Sequence, residues 1–370
     1  MSTPESRKRR SPLLDRPGAV EAGADGGGLD AGVAWHYGDP VREQRLLEQG
    51  LAVVDLSHRS VVRVSGPDRL RWLDSLTSQR LLDLPPRTSV ESLLLSPEGR
   101  VEHALHVVDD GEATWLVLEP GEGAPAAAWL DSMRFMLRVD VADVTDEWAV
   151  LGEPVGRESL PGEPLAWVDP WPRTSPSSTR YGPSDDEHPG ADRPWRELLV
   201  PRGELVAAVG DRPLAGTWAS EALRVAAWRP RLGAETDERT IPHEVDWLRT
   251  GVHLSKGCYR GQETVAKVHN LGRPPRRLVV LHLDGSGAAL PPPGAEVIDV
   301  ERGRAVGHLT SSVRHHELGP VALALVKRTT PVDARLVVDG VAAAQEVVVD
   351  PDVAPAHARP QVAAPRRPTV

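Results

Sequence analysis

Short runs of apolar and β-branched residues, separated by turn residues, recur along the N-terminal half of the chain and predict β-strands. Helical spacing replaces them at 68–76, where Leu70, Leu73 and Leu76 fall on one face. The other predicted helices are 41–50 and 126–136, and the predicted strands are 51–56, 60–64, 91–95, 101–108, 114–118, 139–144 and 148–152. This mixture predicts an α+β domain with a largely antiparallel sheet over residues 31–152.

The C-terminal third shows still shorter strands, which are divided by turns containing Gly, Pro and Asp. They are 278–283, 296–300, 305–312, 321–326, 335–338 and 344–349. Strands at this density predict a small antiparallel β-barrel over residues 273–350. Before it, residues 197–272 form a second predicted α+β segment. It has two short strands within 198–209 and a helix over 217–227.

Three segments lack the pattern of a packed element. Residues 1–30 are charged and then rich in Gly and Ala, and residues 351–370 are rich in Pro and Ala. Neither buries enough apolar surface to offset the entropy of ordering, so we predict disordered tails. Residues 153–196 are dense in Pro, Gly, Ser and Asp, which indicates an insertion that crosses the surface, with its tryptophans docked and its acidic run solvated.

Composition indicates the compartment of the protein and excludes some classes of partner. The chain has 370 residues and is 40% hydrophobic, which is enough for a sizeable core. Its one cysteine excludes an intramolecular disulfide and indicates a reducing compartment, so we expect a cytoplasmic monomer. No apolar run approaches the roughly 20 residues that cross a bilayer. A net charge of -10 argues against nucleic-acid binding.

Metal and phosphate motifs are missing from the sequence. One cysteine cannot complete a zinc pattern, and no glycine-rich phosphate loop precedes a helix. The adjacent pair His315 and His316 lies in a polar stretch, and adjacent side chains diverge in extended structure. We therefore predict no metal site.

The densest chemistry lies in Lys256-Gly257-Cys258-Tyr259-Arg260-Gly261-Gln262-Glu263, called the signature loop below. Its glycines permit positive φ and close approach, and its side chains offer donors, acceptors and both charges. Lys256 is one of only four lysines in a chain that otherwise uses arginine, which suggests a need for a compact ammonium. Two interpretations of Cys258 stay open. It is a thiol whose pKa nearby Lys256 lowers, or a small inert filler of a tight turn.

The signature loop resembles that of the YgfZ family of folate-binding proteins, which are relatives of the glycine-cleavage T-protein. The octet K-G-C-Y-R-G-Q-E carries the resemblance, and residues 221–225, 240–244 and 264–270 on either side of it fit as well. The likeness extends over residues 50–349, most of the chain.

The resemblance implies a ring of three small domains around a central folate site, the last of them the β-barrel. It implies tetrahydrofolate or a derivative as the ligand and a role in building or repairing iron–sulfur clusters. The partners would then be folate and iron–sulfur client or assembly proteins. Carboxylates and amides match the pterin edge, while Arg or Lys suits the glutamate tail of folate. The expected cofactor-binding residues are Lys256, Gly257, Tyr259, Gly261, Gln262, Glu263, Arg224 and Trp228.

Cys258 is the candidate reactive thiol of this site. A thiolate is a soft ligand for iron, but clusters normally take four protein thiolates. Cys258 would therefore hold iron only transiently, with other ligands from a partner.

Two departures from the relatives bear on enzymatic activity. The T-protein's acidic pair, which includes the aspartate central to aminomethyl transfer, aligns with His103 and Ala104. The relatives' pterin-binding glutamate aligns with Ala226, so another carboxylate, stacking on Trp228 or weaker binding takes its place. We therefore expect no aminomethyltransferase activity. Two alternatives stay open, a folate-dependent one-carbon transferase or demethylase and a thiol redox adaptor that uses Cys258.

Overall fold

A computed structural model describes residues 10–23, 28–287 and 289–353. The predictions made for 1–9, 24–27 and 354–370 lie outside these residues. The helices are α1 (Pro40–Glu48), α2 (Arg69–Leu76), α3 (Gly123–Ser132), α4 (Leu205–Val209), α5 (Thr217–Ala226), α6 (Leu248–Gly251) and α7 (Gln262–Leu271). The strands are β1 (Val20–Glu21), β2 (Ala34–His36), β3 (Val53–Asp55), β4 (Ser60–Ser65), β5 (Ser89–Leu95), β6 (Val101–Asp109), β7 (Ala113–Leu118), β8 (Asp140–Asp143), β9 (Trp148–Glu153), β10 (Leu165–Val168), β11 (Arg196–Pro201), β12 (Leu214–Ala215), β13 (Arg276–Leu283), β14 (Glu296–Asp299), β15 (Arg304–His315), β16 (Gly319–Lys327), β17 (Leu336–Val338) and β18 (Val341–Val347).

The first sheet has the strand order β5-β6-β7-β4-β8 and is antiparallel throughout. The helices α2 and α3 cover one of its faces. In α2 the buried side chains are Trp72, Leu73 and Leu76, while Leu70 is only half-buried. Leu73 joins Leu116 of β7 and Leu130 of α3 in one apolar cluster. The helical spacing in the sequence thus provides the face that covers the sheet.

The second sheet has the order β10-β11-β9-β3-β12, with β12 parallel to β3 and the other pairs antiparallel. It packs face to face with the first sheet. Val61 and Val117 of the first sheet share an apolar cluster with Val54, Val150 and Leu199 of the second. The space between the two sheets holds the central cavity described below.

The C-terminal strands form a closed six-stranded barrel in the order β13-β16-β15-β14-β17-β18, with every pair antiparallel. Its apolar interior includes Leu281, Leu309 and Leu336. The predicted α+β fold with a C-terminal antiparallel β-barrel is confirmed.

The N-terminal segment is packed where the structure describes it, so the prediction of a disordered tail over 1–30 is wrong for 10–23 and 28–30. Leu13 is fully buried against Val53 of β3 and Leu205 of α4. Strand β1 pairs with β2, and Asp30 bonds to His58 and Arg231. A few anchoring contacts hold a stretch whose average composition is that of a solvated chain.

The segment 153–196 is integrated into the fold and is not simply an insertion across the surface. Strand β10 lies within it at the edge of the second sheet, and Trp167 on that strand is fully buried. Asp185, from the run expected to be solvated, accepts hydrogen bonds from Thr174 and Arg249. The predicted docking of tryptophans is borne out, and the acidic run is exposed at Asp186 and Glu187 as predicted, whereas Asp185 is half-buried and hydrogen-bonded.

The two strands predicted within 198–209 are one strand and one helix. Strand β11 ends at Pro201, which has no N–H for a further ladder bond. A short 3-10 turn over Arg202–Glu204 then leads into α4. Leu205 and Val209 are its buried residues, a spacing of four that fits a helix as well as a strand end.

Candidate functional site

The central cavity lies between the two sheets and leaves a free volume of about 50 Å³. Strands β5, β6 and β7 of the first sheet and β10 and β11 of the second line it, together with α5 and residues 229–232. The His106 ring of β6 stacks on Trp167 of β10, with centroids 3.7 Å apart and planes 4° from parallel. Flat faces and arginines therefore share one concave space.

Arg229 joins the two sheets across the cavity. Its Nη2 donates to Glu91 Oε1 at 2.7 Å and its Nε to Asp169 Oδ2 at 3.1 Å. Glu91 is fully buried and also accepts a hydrogen bond from Thr250. Burial alone would lower the pKa of Arg229, but the charges of Asp169 and Glu91 outweigh it and raise that pKa. Arg229 therefore keeps its positive charge in the cavity wall.

The other two carboxylates that line the cavity, Glu197 and Glu119, contact Arg59, His106 and Arg231. Arg59 lies 3.1 Å from Glu197 Oε1 and 3.4 Å from Glu119 Oε1. His106 Nδ1 is 2.8 Å from Glu197 Oε2. Burial raises the pKa of Glu197, but the charges of Arg59 and His106 prevail and hold it at about 2. Arg231 donates to Glu119 Oε2 at 2.8 Å.

Arg224 is the one predicted site residue that lines this cavity. Its five N–H groups all have acceptors, which are Glu221, Glu235, Ser311 and the carbonyl of Arg229. Ser311 lies in the barrel, so Arg224 ties α5 to the C-terminal domain. Because every N–H group of its guanidinium already has an acceptor, Arg224 has a structural role and no donor left for a ligand.

Lys256, in contrast, points away from the cavity. Its side chain is 1% exposed, and its Nζ donates to the carbonyl oxygens of Thr77 at 2.8 Å, Gln79 at 2.7 Å and Asp74. These carbonyls lie at and just beyond the C-terminal end of α2, where helix carbonyls lack intrahelical partners. Burial lowers the pKa of Lys256 to about 8. The lysine is a buried cap of α2.

The rest of the signature loop divides into a packed and an exposed part. Gly261 has φ of +81°, and a Cβ there would lie 2.5 Å from the carbonyl oxygen of Ser96 and 3.0 Å from Gly99 Cα. Only glycine therefore permits the loop to pack on the tip of the β5–β6 hairpin. The Tyr259 ring is buried with Lys256 Nζ 5.5 Å from its centroid.

The exposed part of the loop comprises Gly257, Cys258 and Glu263. A methyl group on Gly257 would meet no atom within 4 Å, so packing does not require a glycine at this position. Gln262 is half-buried and makes long contacts of 3.4 and 3.5 Å to the carbonyls of Lys256 and Gly257. Cys258 is thus presented to solvent, which disfavours the interpretation as a buried filler.

Trp228 lies beside the cavity in the apolar cluster behind it. It has φ of +57° and an edge contact with His188 at 5.4 Å between centroids. Of the eight residues predicted to bind a cofactor, the structure brings Arg224 to the cavity wall, while the six from the signature loop lie outside the cavity lining, some buried and some exposed.

Strand β6 carries the positions predicted to replace the acidic pair of the T-protein, His103 and Ala104. Ala104 and His106 face the cavity, whereas His103 lies on the other face and contacts Glu122. Glu102, near the hairpin tip, pairs with Arg260. Among the described residues, every carboxylate that lines the cavity is engaged by an arginine.

Apart from Arg224, the sequence patterns did not single out the polar residues that form the cavity. Glu91 and His106 lie on strands of otherwise apolar core, and Arg229 and Arg231 alternate after the end of α5. Ionisable groups within buried strands were the available signal, because such groups are rarely buried without a partner.

His315 and His316 do not diverge as expected, since a turn follows β15 and brings their rings to 4.6 Å between centroids. Glu48 lies close enough that the three residues offer ligand atoms within 4.8 Å of one another. His315 Nδ1 nevertheless accepts the backbone N–H groups of Glu317 and Leu318, so that lone pair faces the chain. No helix of the described residues is long and apolar enough to cross a membrane.

The sequence matches two domains of known proteins. Residues 33–152 match the GCVT N-terminal domain, and residues 276–362 match the glycine cleavage T-protein C-terminal barrel domain, together more than half of the chain. By structure, the chain is similar to the glycine cleavage system aminomethyltransferase T from Bartonella henselae. The TM-score is 0.70 at 19% identity, over 92% of this chain and 95% of that one.

Curated relatives carry different functional names. A putative chloroplastic transferase of Arabidopsis thaliana is 28% identical over 71% of this chain, but the match spans only 62% of the plant protein. An aminomethyltransferase of Thermotoga maritima is 26% identical over 89% of this chain and 92% of its own length. A mitochondrial iron–sulfur cluster assembly factor IBA57 homolog of Cryptococcus neoformans is 24% identical over 62% of this chain and 66% of its own. The chain belongs to the glycine-cleavage T-protein family.

Proposed function

We propose that this chain is a YgfZ-like member of the family, which binds tetrahydrofolate or a derivative and supports iron–sulfur cluster assembly or repair in client enzymes. Its single cysteine fits a reducing compartment such as the cytoplasm. The observation that carries the proposal is that two features lie in different parts of the molecule. A concave polar cavity lies inside the molecule, and an accessible thiol lies on a separate loop outside it.

The lining of the cavity fits folate in chemistry. Its free volume of about 50 Å³ is far below the roughly 300–1,000 Å³ of small-molecule sites, so folate binding requires the lining side chains to move apart. Trp167, Trp195 and His106 line the cavity with aromatic rings, of which His106 and Trp167 stack on each other, and the arginines suit the carboxylates of the glutamate tail. Glu91 is the carboxylate best placed to substitute for the glutamate missing at Ala226, because it lines the cavity from β5 and is fully buried.

The same cavity argues against one-carbon transfer. A base or nucleophile poised at the reactive nitrogen of folate needs a carboxylate that is not already neutralised. Here Ala104 takes the cavity-facing position on β6, and the lining carboxylates Glu91, Glu119, Asp169 and Glu197 all pair with arginine. A transferase remains the second candidate because relatives carry transferase names.

Calorimetry with reduced folates tests the ligand. We expect saturable one-to-one binding that is strongly weakened in Ala104→Leu, because the added side chain fills the space between the sheets. Ala128→Leu, on the exposed side of α3, is the matched control and keeps the wild-type affinity. No binding heat for the wild type at high folate concentration would sink the proposal.

An assay with aminomethylated carrier protein distinguishes the enzyme from the binding protein. We expect no methylenetetrahydrofolate above the uncatalysed background. Robust production, lost in a cavity-filling variant, would establish the transferase instead.

Cys258 connects the protein to iron–sulfur clients. A solvent-exposed thiolate is a soft iron ligand, and a cluster needs further thiolates from a partner. In a strain lacking the protein, we expect Cys258→Ala to restore less iron–sulfur enzyme activity than the wild type, with unchanged folding and folate binding.

The redox alternative predicts a different pattern for the same cysteine. A redox adaptor requires reversible oxidation of the thiol during its cycle, so trapping with an alkylating agent should find an oxidised fraction that rises with client turnover. Full complementation by Cys258→Ala would leave neither role for the thiol.

A further inference from the structure

Residues 28–32, called the strap below, separate the inside of the molecule from an open hollow on its surface. Leu29 and Ala31 line the hollow, whose free volume of about 760 Å³ lies within the roughly 300–1,000 Å³ of small-molecule sites. On the inner side, Asp30 bounds a space with only about 30 Å³ free, which shares Arg231 with the wall of the central cavity. The strap therefore divides two small closed spaces from one large open one.

The strap is held closed by one carboxylate and one apolar contact. Asp30 Oδ1 accepts a hydrogen bond from Arg231 Nη2 at 2.8 Å and lies 3.0 Å from His58 Nε2. Burial raises the pKa of Asp30, but Arg231 and His58 outweigh it and hold that pKa well below its usual range. Leu29 Cδ2 lies 3.2 Å from the position that a Cβ on Gly233 would take, so a bare glycine makes room for it.

The two ends of the strap are built to bend. Gly28 has φ of +98° and Gly32 has φ of +95°, and glycine changes the sign of φ at little cost, as a hinge requires. Opening would also leave the cavity wall paired, because Arg231 keeps its hydrogen bond to Glu119 at 2.8 Å when Asp30 departs. The departing carboxylate would be hydrated in the hollow.

We infer that the strap is a gate that closes the central cavity, and that the ligand enters from the hollow when Asp30 leaves Arg231 and His58. The inference rests on the proposed folate binding and adds the route by which folate reaches a cavity with only about 50 Å³ free. Opening joins the inner spaces to the hollow and so provides the room that they lack. The strap lies just before residue 33, where the match to the GCVT N-terminal domain begins.

Stopped-flow fluorescence with tetrahydrofolate tests the gate in the wild type, Asp30→Asn, Leu29→Ala and the control Asp109→Asn. Asp109 pairs with Arg69 at 2.8 Å, much as Asp30 pairs with Arg231, but it lines neither the hollow nor the inner spaces. Hydrogen bonds to a charged group are stronger than neutral ones, so removing the charge of Asp30 shifts the strap towards its open form. Apparent affinity is limited by the fraction of molecules that are open, so the shift should appear in the binding itself.

We expect Asp30→Asn to associate with tetrahydrofolate roughly 10-fold faster and to bind it correspondingly more tightly. Leu29→Ala should change both quantities in the same direction by a smaller factor, and Asp109→Asn should match the wild type. Because misfolding would weaken binding, a faster and tighter variant is also shown to be folded. Association that is unchanged or slower in both strap variants, or an equal acceleration in Asp109→Asn, overturns the gate alone. A wild type that does not bind tetrahydrofolate refutes the folate proposal and the gate together.

Discussion

Replacing Lys256 by methionine tests whether the signature lysine is structural. Methionine keeps the apolar stem but removes the donor to the carbonyls of Asp74, Thr77 and Gln79. A buried polar group left without a partner costs about 1–3 kcal/mol. Two effects reduce the sum of these costs for three carbonyls. The carbonyl groups can shift towards other partners, and the variant avoids the cost of burying an ammonium. We therefore expect a net loss of about 2–4 kcal/mol in the free energy of unfolding.

Urea denaturation of the wild type, Lys256→Met and Lys267→Met measures this loss. Lys267 is the exposed lysine of α7 and its variant should stay within about 0.5 kcal/mol of the wild type. Folate affinity of folded Lys256→Met should be unchanged, because Lys256 does not line the cavity. Wild-type stability combined with weaker folate binding would refute the assignment of Lys256 as a cap.

The pH dependence gives a second signature of the same contact. Burial lowers the pKa of Lys256 to about 8 from its ordinary 10.5, so between these values the unfolded chain holds a proton that the native protein has released. The unfolding free energy of the wild type should therefore rise relative to Lys256→Met as the pH increases from 8 towards 10.5. A constant difference across this range would contradict the burial of the ammonium.

Three further predictions concern stability. Gly261→Ala should cost more than about 2 kcal/mol in urea denaturation, because of its positive φ and the close carbonyl of Ser96, whereas Gly257→Ala should be nearly neutral. Burial holds the pKa of His243 at about 3, so the unfolded chain takes up a proton between pH 6.5 and 3 that the native protein does not. His243→Phe should therefore flatten the loss of stability as the pH falls through this window, and an unchanged slope would contradict it. Leu13→Ala should destabilise the protein by about 2–5 kcal/mol if the N-terminal anchor is packed, and a change below about 0.5 kcal/mol would show that it is not.

Regular patterns made most of the fold predictable. The β5–β6 hairpin, the buried face of α2 and the barrel strands each follow from local spacing and turn residues. The packing of the N-terminal segment was not predicted, because its one buried anchor, Leu13, lies in a stretch that is polar on average. Strand β10 was not predicted either, because it lies in a Pro-rich stretch and its pairing with β11 is a long-range contact that local spacing does not show.

The site was less predictable than the fold. The signature loop was recognised from its residues, but the direction of Lys256 depends on α2, about 180 residues away in sequence. The cavity depends on pairs such as Arg229 with Glu91, whose partners lie 138 residues apart. No local spacing encodes such a pair. The sequence therefore indicated which residue types mattered without indicating which of them meet.

The β5–β6 hairpin contacts both the central cavity and the signature loop. Its middle presents Ala104 and His106 to the cavity, and its tip packs on Gly261 so closely that a Cβ there would lie 2.5 Å from the carbonyl oxygen of Ser96. A paired two-stranded ribbon behaves as a stiff lever over this short span. We therefore expect a tilt that widens the cavity at Ala104 to move Gly261 as well, and with it the backbone that carries Cys258, three residues away.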